Sequence, residues 1–474
     1  MKNKEIVDFS KGFLWGASSS AYQFEGAWNE GGKGISVQDI KKENINNSVD
    51  WSKISDFKIA SDHYHFYKED IKLMAEMGLE AYRFSISWSR ILPKGVGKIN
   101  QKGIEFYHNL IDELLKYNIE PIITMFHFDL PLELSKKGGW NNRDLIVDAF
   151  VNFAKVLFNE YGKKVKYWIT INEQNMIAMV GDVIGIKQDK VSNKWKTIAT
   201  QNHNMLIAQS IVFNLLHDMY PKSKIGPAPN VSICYPKTCN PEDMIASKNA
   251  QAILHWWYLD IAIKGKYNEI VWKFLKEMDS IPEIRKNDIG IFKKGKPDFI
   301  AFNYYSSHTV QKYNKNNENN KIDQQNMSDI PKMYSFVKNE YLEKTQFGWS
   351  IDPIGFRITF KELYERYNLP LLVSENGLGA CDTLTPELKI HDYYRIEYLK
   401  QHIKQMKLAI SDGVEIIGYC PWSVIDLVST HEGFSKRYGF IYVNRDEFNL
   451  KDMKRYRKDS FYWYQNLIKQ NGNL

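Results

Sequence analysis

Eight short, nearly continuous apolar runs punctuate this chain, and what lies between them limits the fold more than any other feature. The runs span residues 13–19, 81–87, 120–126, 167–173, 224–230, 298–305, 370–376 and 415–422. Strands buried on both faces by flanking helices read this way, whereas half-exposed strands alternate. Helical patterns fill the gaps. Tyr64, Tyr67, Ile71 and Met74 share one helix face, with Gly78 where that helix would stop, and Ile104, Tyr107, Ile111 and Leu114 repeat the pattern. Eight strands alternating with helices predict a closed parallel (β/α)8 barrel.

Length alone would argue otherwise, since 474 residues at ~150 per domain suggest about three domains. The strand count instead predicts one catalytic domain over residues 1–474, with the length beyond a typical ~250-residue barrel placed in loops. One such loop is expected at 306–329, where Asn, Lys and Gln dominate and large apolar side chains are few, as in a solvated, mobile segment. No internal repeat or linker interrupts the pattern.

Composition excludes several function classes. Hydrophobic residues at 43% and charged residues at 25% supply an ordinary core. The net charge of +7 is scattered, so no nucleic-acid partner is expected. No run of about eighteen apolar residues exists, and the N-terminus leads into no apolar signal core. The chain is therefore expected to be cytoplasmic, without a membrane partner, and nothing in it specifies an oligomeric state. The cysteines at 234, 239, 381 and 420 lack metal or redox spacing and are read as packed or incidental thiols. Aromatic residues reach 14%, which hints at a ring-lined site for a sugar or a base.

Chemistry on such a barrel belongs at the carboxyl ends of the strands, so the polar residues ending each run are the candidates. Arg83 lies in the second run, His127 follows the third, Asn172 and Glu173 end the fourth, Asn303 and Tyr305 the sixth, Glu375 the seventh and Trp422 the eighth. Two carboxylates on opposite sides of one ring suit glycosidic bond cleavage, where one protonates the leaving oxygen and the other attacks the anomeric carbon. A separation of about 5–5.5 Å would imply a covalent intermediate and retained configuration. The plain alternative is a pair of strand-end acids that cap helices or pair with arginine.

At these residues the chain resembles glycoside hydrolase family 1, the retaining β-glycosidases, from near its start to about Gln465. The opening Phe13-Leu14-Trp15-Gly16-Ala17-Ser18-Ser19-Ser20-Ala21-Tyr22-Gln23-Phe24-Glu25-Gly26 is similar to the family's N-terminal signature. Thr170-Ile171-Asn172-Glu173 is similar to its acid/base motif, and Ser374-Glu375-Asn376-Gly377 to its nucleophile motif. The resemblance implies Glu375 as nucleophile, Glu173 as acid and then base, and Arg83 and Tyr305 as supports of Glu375. It implies Gln23, His127, Asn172 and Trp422 as glycone contacts, and Trp349 as a wall for the aglycone, with core packing as the alternative for that ring. No metal or organic cofactor is implied. Two residues depart from the family pattern: Gln174 stands where Pro is commoner, and Phe128 where Trp is frequent.

The stretch after the eighth run carries the specificity. Ordinary β-glucosidases of the family have Glu-Trp where this chain has Ser429-Thr430. The pattern here is similar to the 6-phospho-β-glycosidase branch, whose equivalents of Ser429, Lys436 and Tyr438 bind the 6-phosphate. Electrostatics agree, because a carboxylate ~4 Å from a phosphate would cost about 4 kcal/mol per unit charge at an effective dielectric of 20. The competing reading makes Ser435-Lys436-Arg437-Tyr438 a solvated basic turn. Galactose-type members tend to keep a Trp after the Ser, so Thr430 favours 6-phospho-β-glucosides as the small-molecule partner. A 6-phospho-β-galactosidase, a plain β-glucosidase and a catalytically inactive sugar-phosphate-binding protein are the alternatives.

Three further features are read as structural. Residues 26–33 lack the spacing of a phosphate-binding P-loop. His63 and His65, two apart on a helix, face different ways and are expected on its surface. Trp256-Trp257 is read as core packing.

Overall fold

The structure, a computed structural model, describes residues 6–41, 51–181, 193–316 and 329–473. All eight expected runs are strands: β1 (Leu14–Ser18), β2 (Ala81–Ser85), β3 (Glu120–Phe126), β4 (Tyr167–Asn172), β5 (Lys224–Ala228), β6 (Ile300–Tyr304), β7 (Leu371–Asn376) and β8 (Ile416–Tyr419). They pair in parallel in the order β5-β4-β3-β2-β1-β8-β7-β6. The ring closes between β5 and β6, where Asp298 donates its N–H to Ile225 and Asn303 donates to Pro229. An isolated parallel bridge, Asn230 with Asn303, completes this seam.

The barrel interior is small and dry. Ala81, Ile122, Ile169, Ala228, Phe299, Ala301, Leu372 and Cys420 form an inner cluster against Leu14, so every strand or its immediate flank contributes. The opposite strand faces join the much larger core beneath the helices. The first predicted helix is His63–Glu76, with Ile71 and Met74 fully buried and Gly78 turning the chain out of it at φ +80°.

Three expectations change. His63 is not a surface residue: it is buried and its Nδ1 lies 2.7 Å from Asp70, which also accepts from Arg455 at 2.8 Å. Its face of the helix meets the core, while His65 faces solvent. The expected loop at 306–329 contains a strand, His308–Gln311, paired with Cys234–Pro236 and Ser335–Phe336, because Val310 supplies a buried apolar anchor. Residues 317–328 of that loop lie outside the described ones. Finally, β4 and β7 are not diametrically placed; β5 and β6 separate them on one side of the ring. Trp256 and Trp257 are buried as expected, and the cysteines are unpaired. Among the described residues no helix is long and apolar enough to cross a membrane.

The closing seam admits little volume. A Cβ on Gly226 of β5 would lie 2.3 Å from the Phe299 carbonyl oxygen. Gly226→Ala is expected to destabilise the protein by about 1–3 kcal/mol through overpacking, read as a lower denaturant midpoint. An unchanged midpoint would show that the seam can open without cost.

Candidate active site

The carboxyl ends of the strands surround a cavity. Gln23, His127, Asn172, Glu173, Tyr305, Trp349, Glu375, Trp422, Ser429 and Tyr438 all line it. Arg83 sits directly beneath, fully buried, and Lys436 sits behind the wall.

Arg83 projects from β2 on the same face as Ala81 and divides its donors three ways. Nε donates to Thr124 at 2.8 Å, one terminal nitrogen to Glu375 Oε1 at 2.5 Å, and the other to Asn172 Oδ1 at 2.6 Å. The Tyr305 hydroxyl donates to the second Glu375 oxygen at 2.6 Å. Both oxygens of Glu375 thus have strong donors. Burial pushes its carboxyl above the usual value, while Arg83 and Tyr305 pull it down.

Glu173 is built differently. It follows β4 in a left-handed conformation, φ +43°, which costs a residue with a β-carbon about 1–2 kcal/mol. Its Oε1 accepts from the side-chain amides of Asn230 and Asn303, each at 2.9 Å, and no cation bonds to it. Burial and then the nearby Glu375 raise its pKa to about 7, against weaker opposition from the two amides. The site therefore holds one carboxyl in contact with a guanidinium and another held close to half-protonated at neutral pH.

His127 is kept neutral by burial and by Arg83. Because Asn172 Oδ1 already accepts from Arg83 and Asn303, its amide nitrogen is the atom 3.1 Å from His127 Nε2. The amide donates and His127 Nε2 accepts, which leaves an N–H on Nδ1, buried and without a partner among the described residues. The ring lies nearly parallel to Trp422 at 5.8 Å. Gln23 is fixed from both ends, donating to the Val428 carbonyl and accepting from Ser20, each at 2.8 Å.

The two departures from the family pattern are both accommodated. Gln174 is buried in a chain of amides, donating to Asn202 Oδ1 at 2.5 Å and accepting from Gln209 at 3.0 Å. Phe128 lines the cavity and is held through its carbonyl by Gln38 at 2.9 Å.

The loop after β8 is not a solvated turn. Lys436 and Arg437 are 1% and 4% exposed. Arg437 points away from the cavity, donating to Asp426 and to the Val443 carbonyl, each at 2.9 Å. Its neighbours point the other way. Tyr438 and Ser429 both line the cavity, and the Lys436 ammonium lies 3.8 Å from the centre of the Trp349 ring. Trp349 packs edge-on against Tyr305 at 5.4 Å. Sequence reasoning missed Asn230, Met176, Thr430 and His431 as lining residues and Asn303 as a ligand of Glu173. The rule that polar residues end strands named Asn303, without its link to Glu173, and would have found Asn230 as well.

The family model for glycosyl hydrolase family 1 matches residues 6–473. The chain belongs to glycosyl hydrolase family 1. It is an enzyme of that family by this match and by its relatives. It is 43% identical to the aryl-phospho-beta-D-glucosidase BglC of Bacillus subtilis, covering 100% of this chain and 99% of the relative. It is 40% identical to a 6-phospho-beta-glucosidase of Clostridium longisporum, covering 98% of each. The family 1 β-glucosidase structure from Thermotoga maritima superposes with a TM-score of 0.88 at 36% identity, over 99% of this chain and 100% of that one. Similarity thus extends to enzymes named for phosphorylated and for unphosphorylated substrates, which leaves the cavity itself to discriminate.

The Glu173 environment is directly measurable. In protein labelled with carboxyl-13C glutamate, Glu173 should titrate near pH 7, and Glu375→Gln should move it downward because the neighbouring anion is gone. A Glu173 resonance titrating near 4 in the unaltered protein would contradict this electrostatic account.

Proposed function

We propose that this single-domain, cytoplasmic enzyme hydrolyses 6-phospho-β-D-glucosides with retention of configuration. The carrying observation is that, among the described residues lining the cavity, Glu173 and Glu375 are the sole acids, and the far end is built from Ser429, Thr430 and Tyr438. No carboxylate is among the described residues lining that end. The identity to relatives named as phospho-β-glucosidases supports the same reading.

Glu375, ionised and oriented by Arg83 and Tyr305, attacks the anomeric carbon as Glu173 delivers its proton to the leaving oxygen. Esterification removes the Glu375 charge, one of the two causes that hold the Glu173 pKa up. Glu173 then becomes the stronger acid and serves as base toward the incoming water. Gln23, His127, Asn172 and Trp422 hold the glycone, with the neutral His127 donating from Nδ1. Trp349 borders the aglycone. Ser429 and Tyr438 donate to the 6-phosphate, and Lys436 supplies charge, each charge-assisted bond contributing roughly 1.5–3 kcal/mol.

Chromogenic β-glucosides with and without the 6-phosphate, plus the phosphorylated galacto epimer, test the substrate class. The phosphorylated glucoside should be strongly preferred; preference for the unphosphorylated compound would remove the reading of Ser429. Ser429→Glu should lower kcat/KM for the phosphorylated substrate by about 4 kcal/mol, close to a thousandfold. Because Glu173 must be protonated in the free enzyme, kcat/KM should fall as pH rises through about 7. Glu173→Gln should abolish that alkaline limb and slow substrates with poor leaving groups by about 10²–10⁴-fold. Glu375→Ala should abolish turnover, and unchanged hydrolysis would refute its role.

A further inference from the structure

One residue at the phosphate end of the cavity has no role in the chemistry above. His431 lines the cavity together with Ser429, Thr430 and Tyr438. Its Nδ1 is buried and forms no well-aligned hydrogen bond among the described residues, although the Thr430 backbone also acts on the ring; a buried polar atom so poorly satisfied calls for an explanation. A ligand atom in the cavity would supply the missing partner.

The surroundings specify the charge of that ligand. Two lysines act on the ring from different elements: Lys436 from the same loop, and Lys41 from the segment after β1. Lys41 is buried, and its ammonium donates to the Thr430 carbonyl at 3.0 Å, which fixes the residue preceding His431. The remaining ionisable groups nearby are Glu432, next in the chain, Tyr438 beside it, and Glu375, which faces the same cavity. Burial and the two lysines hold the imidazole below its ordinary pKa, so it is neutral in the free protein, and burial lowers Lys41 to about 7. The two lysines make the potential at the ring positive, and a phosphate dianion entering the cavity reverses it. It favours the charged form of every basic group it meets.

We propose that His431 is a fourth contact to the 6-phosphate, beside Ser429, Lys436 and Tyr438, and that it binds the anion as an imidazolium, a proposal that rests on the phosphoglucoside reading above. The proton comes from solvent and returns to it when the product leaves. His431 is therefore a specificity residue whose contribution is greatest at low pH. It is present while the imidazole of the complex is charged and is lost as pH rises through the pKa of the complex.

The test compares kcat/KM for a chromogenic 6-phospho-β-glucoside with that for its unphosphorylated parent, as a ratio, in the wild type and in His431→Asn between pH 6 and 8. The substrate phosphate ionises near pH 6, and this is common to both proteins, so it cancels between them. The variant should show a ratio about tenfold lower near pH 6.5, with the gap narrowing toward pH 8. Equal ratios in the two proteins across the range would overturn the assignment of His431 alone. A wild-type ratio at or below one would overturn the phosphate reading, and this proposal with it. If His431→Asn does not fold, the ring-nitrogen chemical shifts of 15N-histidine-labelled unaltered enzyme with and without glucose 6-phosphate decide. His431 is expected to become doubly protonated on binding near pH 6.5, and a ring that stays neutral would overturn the proposal.

Discussion

The Arg83–Glu375 ion pair is the constraint around which the rest of the site is arranged. A carboxylate at the mouth of a dry barrel needs a cation, and removing one partner of such a buried pair typically costs about 3–5 kcal/mol. Arg83 meets this need and uses its remaining donors to orient Thr124 and Asn172. Asn172 in turn fixes the tautomer of His127, and Asn303 reaches both Asn172 and Glu173. One guanidinium therefore sets the geometry on β2, β3, β4 and β7 at once. The asymmetry between the two carboxyls follows: Glu375 touches the cation, whereas Glu173 has amides alone and keeps its proton to about pH 7.

Much of this was legible from strand positions, and the exceptions have a physical cause. Counting by two from the inner cluster leads from Ala81 to Arg83, from Ala228 to Asn230 and from Ala301 to Asn303, all of which face inward. The same count from Leu372 would turn Glu375 outward, toward the helices. It faces the cavity because the pairing of β7 with β6 shifts register between Val373 and Glu375. A similar shift between Ile169 and Asn172 lets Asn172 and Glu173 both reach the site. Such bulges re-aim side chains, and no local sequence signal marks them. The strand-end rule named these residues without using periodicity, and the motif resemblance supplied their expected roles. His63 misleads in the other direction, since it reads as a surface residue yet is buried against Asp70, and the basic run that could have been a solvated turn is buried too, with Arg437 held by Asp426.

That burial explains how a basic run can serve a binding site. Extended backbone places Lys436 and Tyr438 on one side and Arg437 on the other. Arg437 is tied to Asp426, which also accepts from the Gly439 N–H at 3.0 Å and from Lys458 at 2.7 Å. A buried anion thus anchors the outward face of the segment and leaves the inward face its donors. Lys436, meanwhile, sits over the Trp349 and Phe347 rings. Ring faces stabilise a cation without neutralising it, so the positive potential persists toward the cavity. An exposed lysine would be screened by solvent within about 8 Å at physiological ionic strength. On the proposed function, selectivity for an anionic sugar arises from exclusion as much as from attraction. On the proposed reading, Ser at 429 removes the carboxylate that would hold neutral hydroxyls, and Lys41 and Lys436 keep the potential around His431 positive.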